Sequence, residues 1–258
     1  MEKKVNIDII ILSYAKDEYL KGLTVQTIET LLASEDTEKI HFNVLVIESN
    51  KKLQPYQYEN STTIYPNEKF GFNKYLNLGI NATCNKYLCL CNNDLIFEKE
   101  WASIMLNFTN NFKDDLIVTS PFCNKMHIDF LNSKQPIKGY FGYFAGYCFF
   151  TTRETLKLIG KLDEKINFWF ADLDFIELME QHKIPHYLVP NSKVYHLSAQ
   201  ATKSLSKRDF LKLTAYPNIY FNYKWKDKSI FKYYYRLTKF VIKYGLLLIE
   251  DIFLNRAK

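Results

Sequence analysis

Apolar runs alternate with helix-like patterns along the first 120 residues of this chain. Residues 5–14 (VNIDIIILSY) and 42–49 (FNVLVIES) are dominated by β-branched side chains, which is typical of strands buried on both faces. Between them, residues 18–34 repeat leucine and isoleucine at the spacing of an amphipathic helix. A strand, a helix and a strand in this order predict two parallel strands joined by a right-handed crossover.

The same alternation continues to residue 119. It predicts strands over 62–65, 86–91 and 116–119 and helices over 73–83 and 100–112. Alternating strands and helices indicate an α/β fold, a doubly wound sheet with helices on both faces. Ligands of such sheets bind beyond the carboxyl ends of the strands. The polar residues Ser13, Glu48, Asn92 and Asp94 follow predicted strands in this way, which indicates a binding site.

The second half of the chain opens with residues 139–150 (GYFGYFAGYCFF), which are rich in glycine and aromatic residues. They fit either a strand that packs on the first sheet with glycines at bends, or an aromatic wall that receives a sugar or an acceptor. The residues that follow predict two helices, over 153–159 and 168–181, and Gly160 ends the first of them. Extended segments are predicted over 187–190 and 193–197, and a polar loop over 199–207.

The composition, 47% hydrophobic with 16% aromatic residues, predicts a packed core and excludes a disordered chain. Five cysteines without a CxxC pair favour a reduced, cytosolic protein over a disulfide scaffold. Neither a signal peptide nor a membrane-spanning run is expected, because the apolar run 244–249 is far shorter than the roughly 20 residues that a bilayer requires. We therefore expect a cytoplasmic protein, either free or peripheral on the inner face of the membrane.

Positive charge is concentrated at the C-terminus. Residues 201–258 hold 13 Lys and Arg against 4 Asp and Glu, a net charge of +9, whereas the rest of the chain carries −3. Residues 216–254 are also strongly aromatic, and 230–254 predicts an amphipathic helix. This pattern fits an interfacial helix on an anionic membrane. It fits equally a helical hairpin packed on the rest of the chain or on a second subunit of a homodimer, and nucleic acid binding also stays open.

The tripeptide Asn92-Asn93-Asp94 directly follows the strand predicted over 86–91. An Asn and an Asp two residues apart present their side chains on the same side of an extended chain. Oxygen ligands in this arrangement suit Mg²⁺ or Mn²⁺ carrying a diphosphate. The alternative is a polar turn between two apolar segments, because Asn and Asp favour turns for local reasons.

Several short motifs, taken in order over residues 5–205, resemble the family 2 glycosyltransferases of the GT-A fold. The strand end at Ser13-Tyr14 is similar to the first nucleotide-contacting strand, and residues 44–50 (VLVIESN) resemble the second, with Glu48 where the family usually has Asp. Residues 69–79 (KFGFNKYLNLG) match an NxGFxxxxNxG stretch except at the first Asn, which is lysine here. Asn92-Asn93-Asp94 stands at the DxD position.

Two later motifs continue the resemblance. Residues 159–164 (IGKLDE) resemble the GxFDE stretch of the family, and 168–174 (FWFADLD) lie where an EDxD motif is expected, with Ala171 in place of its Glu. His196 lies where a late histidine contacts the diphosphate and the metal.

The resemblance implies an inverting transfer of a sugar from a nucleoside-diphosphate sugar to an acceptor hydroxyl, in the synthesis of cell-surface polysaccharide, lipopolysaccharide or lipid-linked glycan. Asp172 takes the position of the general base, and Asp174, Trp169 and Gly146 fall on the acceptor side. Mn²⁺ or Mg²⁺ would be held by Asp94, Asn92 and His196. The donor-binding residues implied are Ser13, Tyr14, Glu48, Gly71, Phe72, Asn73, Asn77, Asn92, Asn93 and Asp94.

The predicted organisation is a GT-A catalytic domain over 1–210, with a nucleotide-binding half at about 1–120 and an acceptor half at about 121–210, followed by a helical, basic and aromatic extension over 211–258. Two other functions stay open: glycosylation of a modified base in phage DNA, and an inactive sugar-nucleotide- or carbohydrate-binding domain.

Single residues also have simpler interpretations. Asp172 and Asp174 suit the first turn of any helix, because the helix dipole favours carboxylates there. His196 suits a structural hydrogen bond. Lys203 and Lys207 suit either a lid over the phosphates or a solvated basic loop.

Overall fold

A computed structural model of the chain describes residues 4–112, 115–197 and 206–256. Its first half is the predicted parallel sheet. The strands are β1 (Val5–Ser13), β2 (Ile40–Glu48), β3 (Thr62–Ile64) and β4 (Tyr87–Asn92), and the helices between them are α1 (Glu18–Ala33) and α2 (Phe72–Ala82). These strands are parallel and lie side by side in the order β3-β2-β1-β4. The predicted crossover topology is therefore confirmed.

The second half adds strands of both directions to the same sheet. Its elements are β5 (Leu95–Phe97), α3 (Trp101–Thr109), β6 (Val118–Phe122), β7 (Ile137–Lys138), β8 (Cys148–Thr152), α4 (Arg153–Ile159), α5 (Ala171–Gln181) and β9 (His186–His196). The sheet continues from β4 as β8-β6-β9-β5, and β7 pairs with β9. Strand β8 runs antiparallel to both of its neighbours, β4 and β6, so the sheet is mixed.

The sheet is buried on both faces, as the β-branched strands predict. Along β1, Ile9 and Ile11 pack in the core beneath α1 and α3, whereas Ile10 and Leu12 pack in a second core with α2 and α5. Helix α2 approaches β1 closely because residue 79 is glycine: a Cβ there would lie 2.5 Å from Cγ2 of Ile10. Side chains of one strand therefore fix helices on both sides of the sheet.

Three local expectations need correction. The segments expected over 187–190 and 193–197 form one strand, β9, whose pairing with β6 shifts register between Val189 and Lys193. Helix α5 begins at Ala171 and not at residue 168, because Phe170 adopts a left-handed conformation with φ 70° that a helix does not continue. The loop expected over 199–207 lies mostly outside the described residues, Lys203 included, while Lys207 is the first residue of a helix.

The C-terminal extension is helical, as expected. It consists of α6 (Lys207–Phe221), a π-helical segment (Asn222–Asp227) and α7 (Ile230–Arg256). Contacts of Tyr216 with Phe240 and of Tyr223 with Tyr233 pack α7 against the preceding segments as an antiparallel hairpin. None of the helices in the described parts of the chain has the length and apolarity to cross a bilayer.

Candidate active site

The strand pairing brings the predicted polar residues to one edge of the sheet. Ser13 pairs with Glu48, and Leu12 pairs with Asn92, so β1, β2 and β4 end side by side. Because β8 is antiparallel, its beginning lies at this edge too, and the N–H of Asn92 donates to the carbonyl oxygen of Tyr147 at 2.8 Å. The residues that follow β1, β2 and β4 and the residues that precede β8 thus lie together at this edge.

Glu48 occupies the interior of this edge. Its side chain is completely buried, and its oxygens accept hydrogen bonds at 2.6–3.1 Å from the hydroxyls of Ser13 and Tyr58 and from the backbone N–H groups of Ala15 and Asn50. Both side chains are turned into the protein, where their hydrogen bonds hold the loops that follow β1 and β2. The donor contact expected of Glu48 and Ser13 stays a prediction.

Thr24 joins this network to the Asn92-Asn93-Asp94 turn. Its hydroxyl oxygen lies 2.9 Å from that of Ser13 and accepts a 2.8 Å hydrogen bond from the side-chain amide of Asn93. Asn93 thereby braces the turn from outside the sheet. Sequence reasoning missed Thr24; a buried threonine on the apolar stripe of α1, facing the strand ends, is the signal that could have identified it.

Asp94 and His196 form the polar centre of the site. His196 Nε2 lies 3.2 Å from Asp94 Oδ1, and both side chains are nearly buried. The N–H of Leu197 donates to the carbonyl of Asp94, and the imidazole stacks on the ring of Tyr147 with centroids 4.4 Å apart. Strand β5 pairs with the end of β9, which is why a residue 102 positions later reaches Asp94. Tyr147 was not foreseen, although it lies in the aromatic run 139–150.

The Asp94–His196 pair fits part of a divalent metal site. A carboxylate oxygen and an imidazole nitrogen suit Mn²⁺, and a carboxylate suits Mg²⁺. Within residues 4–112, 115–197 and 206–256, no three His, Cys, Asp or Glu side chains are grouped as a complete protein-made metal site. The pair would therefore need further ligands from Asn92, water or a bound diphosphate, which is the usual way in which proteins hold Mg²⁺.

Asp172 is the exposed carboxylate on the other side of the edge. It lies in the first turn of α5 and lines a small pocket together with Gly146, Phe72 and Phe144. Gly146 lies so close that a Cβ built on it would be 2.8 Å from Cβ of Asp172. Oδ1 of Asp172 accepts a hydrogen bond from the N–H of Leu173. This bond to the first turn of α5 orients the carboxylate. Asp172 therefore combines solvent access with a fixed backbone position.

Asp174 has a different environment from Asp172. It is 1% exposed, and Oδ1 accepts from Lys224 Nζ at 2.8 Å and from Trp225 Nε1 at 2.6 Å. Burial raises the pKa of Asp174, and the hydrogen bonds from Lys224 and Trp225 oppose that rise. Its carboxylate fastens the C-terminal extension to α5 through these two bonds, and the acceptor contact expected of Asp174 stays a prediction.

Lys224 also binds the loop before α5. Its ammonium lies 3.1 Å from Asp163 Oδ2, which accepts a 2.9 Å hydrogen bond from the hydroxyl of Tyr220 as well. Burial raises the pKa of Asp163, but hydrogen bonds from the Lys165 backbone, Tyr220 and Lys224 outweigh it and leave this pKa lowered. The C-terminal extension thus binds the carboxylates of Asp163 and Asp174, which precede and follow Asp172 in the sequence. No local sequence pattern indicates this contact.

Asn73 and Asn77 brace the same loop from α2. Asn77 donates to the carbonyl of Leu162 at 2.9 Å and accepts from its N–H at 3.0 Å, and Asn73 donates to the carbonyl of Asp163 at 3.0 Å. Both asparagines are buried and their amides bind inside the protein, and the donor contacts expected of them stay a prediction. Two motifs of the sequence, 69–79 and 159–164, therefore bind each other.

Of the remaining predicted residues, Gly71 is buried, Phe72 is partly buried, and Tyr14 and Trp169 are exposed. Gly71 caps α2, and the N–H of Phe72 donates to the carbonyl of Asn167 at 2.7 Å, close to the start of α5. Tyr14 is 46% exposed just beyond β1. Trp169 is 44% exposed and contacts the ring of Phe210 in α6, with centroids 6.4 Å apart. These exposed rings are available to a ligand.

Comparison with known proteins identifies the fold. No protein-family model and no curated protein sequence matches the chain. Among solved structures, GalNAc-T7 with UDP, GalNAc and Mn²⁺ is similar with a TM-score of 0.63 at 12% identity, over 94% of this chain and 55% of that one. The catalytic domain of Drosophila β1,4-galactosyltransferase 7, in complex with xylobiose, is similar with a TM-score of 0.52 at 10% identity, over 79% of this chain and 75% of that one.

The fold is that of the GT-A-like glycosyltransferases, and the fold prediction is confirmed. The chain spans about half the length of the GalNAc-T7 structure, 55%.

Proposed function

We propose that this protein is a family 2 type glycosyltransferase that moves a sugar, with inversion, from a nucleoside-diphosphate sugar to an acceptor hydroxyl. One observation carries the proposal: Asp94 and His196 form a pair 3.2 Å apart at the carboxyl edge of the sheet, where the backbone of Asn92 binds that of Tyr147, and Gly146 beside it packs on the exposed Asp172. A site for phosphate and a site for a base thus share one edge.

The donor side is the Asp94–His196 pair with Asn92. These residues would hold Mn²⁺ or Mg²⁺, which neutralises the charge that develops on the diphosphate leaving group when the glycosidic bond breaks. The similar GalNAc-T7 structure contains UDP and Mn²⁺, which supports this assignment. Tyr14 is exposed just beyond the end of β1, which supports its assignment to a contact with the nucleotide. Glu48, Ser13 and Thr24 hold the surrounding loops in place.

The acceptor side is Asp172. An exposed carboxylate takes up the proton of an attacking hydroxyl when it lies within hydrogen-bond reach. With a single base and direct attack on the anomeric carbon, the configuration inverts, so an α-linked donor gives a β-linked product. Trp169 offers an exposed ring on which a sugar can stack. We assign the acceptor to a glycan of cell-surface polysaccharide, lipopolysaccharide or lipid-linked type.

The test is release of nucleoside diphosphate from a panel of sugar nucleotides, with Mn²⁺ or Mg²⁺, in the presence of glycan, lipid-linked and DNA acceptors. Transfer should depend on Asp172: Asp172→Asn should keep donor affinity and lower kcat by at least about 100-fold. Asp36→Asn, an exposed Asp in the turn before β2 at the opposite edge, is the matched control. NMR of the product gives the anomeric configuration.

Other results would change the assignment. Donor binding without turnover on any acceptor would establish a sugar-nucleotide-binding protein, and transfer to a modified base would move the acceptor to DNA. Full activity in Asp172→Asn would remove Asp172 from its role as the base.

A further inference from the structure

Helix α7 has three distinct faces. Tyr233 and Phe240 lie on the face that packs against the preceding segments of the hairpin, through Tyr223 and Tyr216. The other two faces are turned to solvent over residues 230–248. One is apolar and the other is basic.

The apolar face is unusually exposed. At about 3.6 residues per turn, its members recur at spacings of three, four and seven and therefore form one continuous stripe. Its large side chains and their exposed fractions are Phe231 86%, Tyr234 59%, Tyr235 61%, Val241 58%, Ile242 59%, Leu246 62% and Leu248 40%. An apolar surface of this extent marks an interaction site.

The basic face runs beside the apolar stripe. Lys232, Arg236, Lys239 and Lys243 follow one another at spacings of four, three and four, and residues 230–248 contain no Asp or Glu. Asp227 pairs with the first two, at 3.4 Å from Lys232 and 2.7 Å from Arg236. Lys239 Nζ lies 4.4 Å from the ring centroid of Tyr235, at the border between the two faces. The apolar and the basic side chains of α7 can therefore contact the same flat surface.

We propose that this face of α7 binds the surface of an anionic lipid bilayer. An interfacial helix buries an apolar stripe at the headgroup level and holds Lys and Arg against anionic headgroups, which is the arrangement found here. A second copy of the chain is a poorer occupant, because a two-fold contact between these faces would bring the basic rows together. Nucleic acid is poorer too: Phe231, Tyr234 and Tyr235 offer rings at one end of the stripe, but the aliphatic side chains at the other end, such as Ile242 and Leu246, offer none for base stacking.

One end of this face lies at the level of the segment that precedes Asp172. The contacts of Tyr216 with Phe240 and of Tyr223 with Tyr233 set the register of the antiparallel hairpin. Continuing this register places Phe210 of α6 at the level of Leu246, and Phe210 contacts Trp169, three residues before Asp172. This step rests on the proposed function: this end of the hairpin would hold the acceptor side of the active site close to the lipid headgroups. That position fits an acceptor carried on a lipid.

The experiment is co-sedimentation of the full chain with vesicles, without donor or acceptor. Phosphatidylcholine vesicles containing phosphatidylglycerol should bind the chain, phosphatidylcholine alone should bind it weakly, and added salt should release it. Lys239→Glu/Lys243→Glu should lower partitioning by at least about tenfold. Ile242→Ser/Leu246→Ser should lower it as well, because the apolar stripe is interrupted.

Lys39→Glu/Lys157→Glu is the matched control, since it makes the same charge change at two exposed lysines of the sheet domain and should leave partitioning unchanged. Circular dichroism and thermal melting check the folding of each variant. Absence of wild-type binding to the anionic vesicles would overturn the proposal. So would a dimer in analytical ultracentrifugation that the α7 variants abolish, or DNA binding that is tighter than vesicle binding and lost in the lysine variant. Because no sugar is transferred in this assay, its failure would leave the proposed glycosyl transfer untouched.

Discussion

Gly146 lies in direct contact with Asp172: a Cβ built at residue 146 would be 2.8 Å from Cβ of the aspartate. Two non-bonded carbon atoms do not approach so closely, so glycine alone fits without displacement of Asp172 or of its helix. The segment that enters β8 and the first turn of α5 are therefore positioned against each other. The proposed base depends on the absence of a side chain on its neighbour.

Gly146→Ala should accordingly impair transfer. The added methyl group displaces Asp172, and a displacement near 1 Å costs about 100-fold in rate because the acceptor hydroxyl loses its alignment. Steady-state kinetics should show a loss in kcat with little change in donor affinity. Gly22→Ala is the control, because a Cβ at residue 22 has no neighbour within 4 Å. Equal activity in the two variants would contradict the close-contact explanation.

Asp94→Ala should abolish the metal-dependent part of donor binding. A bound donor raises the melting temperature by mass action, and without the Asp94 carboxylate Mn²⁺ adds nothing to that rise. Thermal-shift measurements with a nucleoside diphosphate, with and without Mn²⁺, test this, and Asp36→Ala serves as the surface control. A Mn²⁺-dependent shift of wild-type size in Asp94→Ala would exclude Asp94 as a metal or diphosphate ligand.

Glu48→Gln should destabilise the fold. The buried carboxylate accepts from two backbone N–H groups at Oε1 and from two hydroxyls at Oε2. The amide oxygen of glutamine can keep the first two bonds, but its amide nitrogen cannot accept from the hydroxyls. The expected loss in the free energy of unfolding is about 3 kcal/mol. Urea denaturation measures it, and the exposed Glu154→Gln is the control. Unchanged stability would mean that Glu48 is not needed to hold the loops.

Lys224→Met should destabilise the protein through Asp174. Removing the ammonium leaves a carboxylate that is 1% exposed with Trp225 as its remaining partner, and such a loss costs about 3–5 kcal/mol. A double-mutant cycle with Asp174→Asn isolates the pair, and the double variant should recover part of the loss. Additive effects would show that Lys224 acts through Asp163 alone.

Stability should fall as the pH is lowered below neutrality, through two buried histidines. Burial lowers the pKa of His127 to about 4 and that of His186 to about 4, the latter opposed by its bond to the Gly139 carbonyl. In the unfolded chain each histidine has a pKa near 6.5. Between about pH 6.5 and about pH 4 the unfolded chain therefore binds more protons than the folded protein, so acid favours unfolding. The loss from about pH 7 to about pH 5 is on the order of 1–2 kcal/mol per histidine.

The hydrogen bonds support the neutral form. His127 Nδ1 accepts from the N–H of Cys123, and His186 lies between the Ser120 hydroxyl and the Gly139 carbonyl. Urea unfolding at both pH values should show a smaller pH dependence in His127→Gln/His186→Gln than in the wild type. The exposed His41→Gln is the control. An equal pH dependence in all three proteins would assign the acid sensitivity to other groups.

Local elements were predictable wherever a short stretch of chain decides its own structure. The β-branched run of β1 and the apolar stripe of α1 were located to within about two residues, as was α4, which ends at Gly160 with φ 80°. The direction of β8 and the continuity of β9 were not predictable in this way. Both depend on which strands pair over long distances, and periodicity carries no such information.

Site residues divide along the same line. The sequence selected the edge where Asp94 and Asp172 lie, since strand ends gather there in any such sheet. It did not separate side chains that face a ligand from side chains that brace the protein. Glu48, Asn77 and Asp174 are of the second kind, because their partners come from segments up to 85 residues away, as in the Asn77–Leu162 bond.

The antiparallel β8 has a consequence for how a protein of this fold can diversify. The parallel strands β1, β2 and β4 end at the cleft, whereas β8 begins there, so the residues before Cys148 form a segment that leads into a strand at this edge. Insertions in this segment would lengthen it and leave the pairing of β4 with β8 in register. Under the proposed function, insertion of foreign sequence at the exposed Phe141 and Gly142, with Gly139, Phe144, Ala145 and Gly146 retained, is therefore the natural way to exchange acceptor preference while the parallel half of the sheet is kept intact.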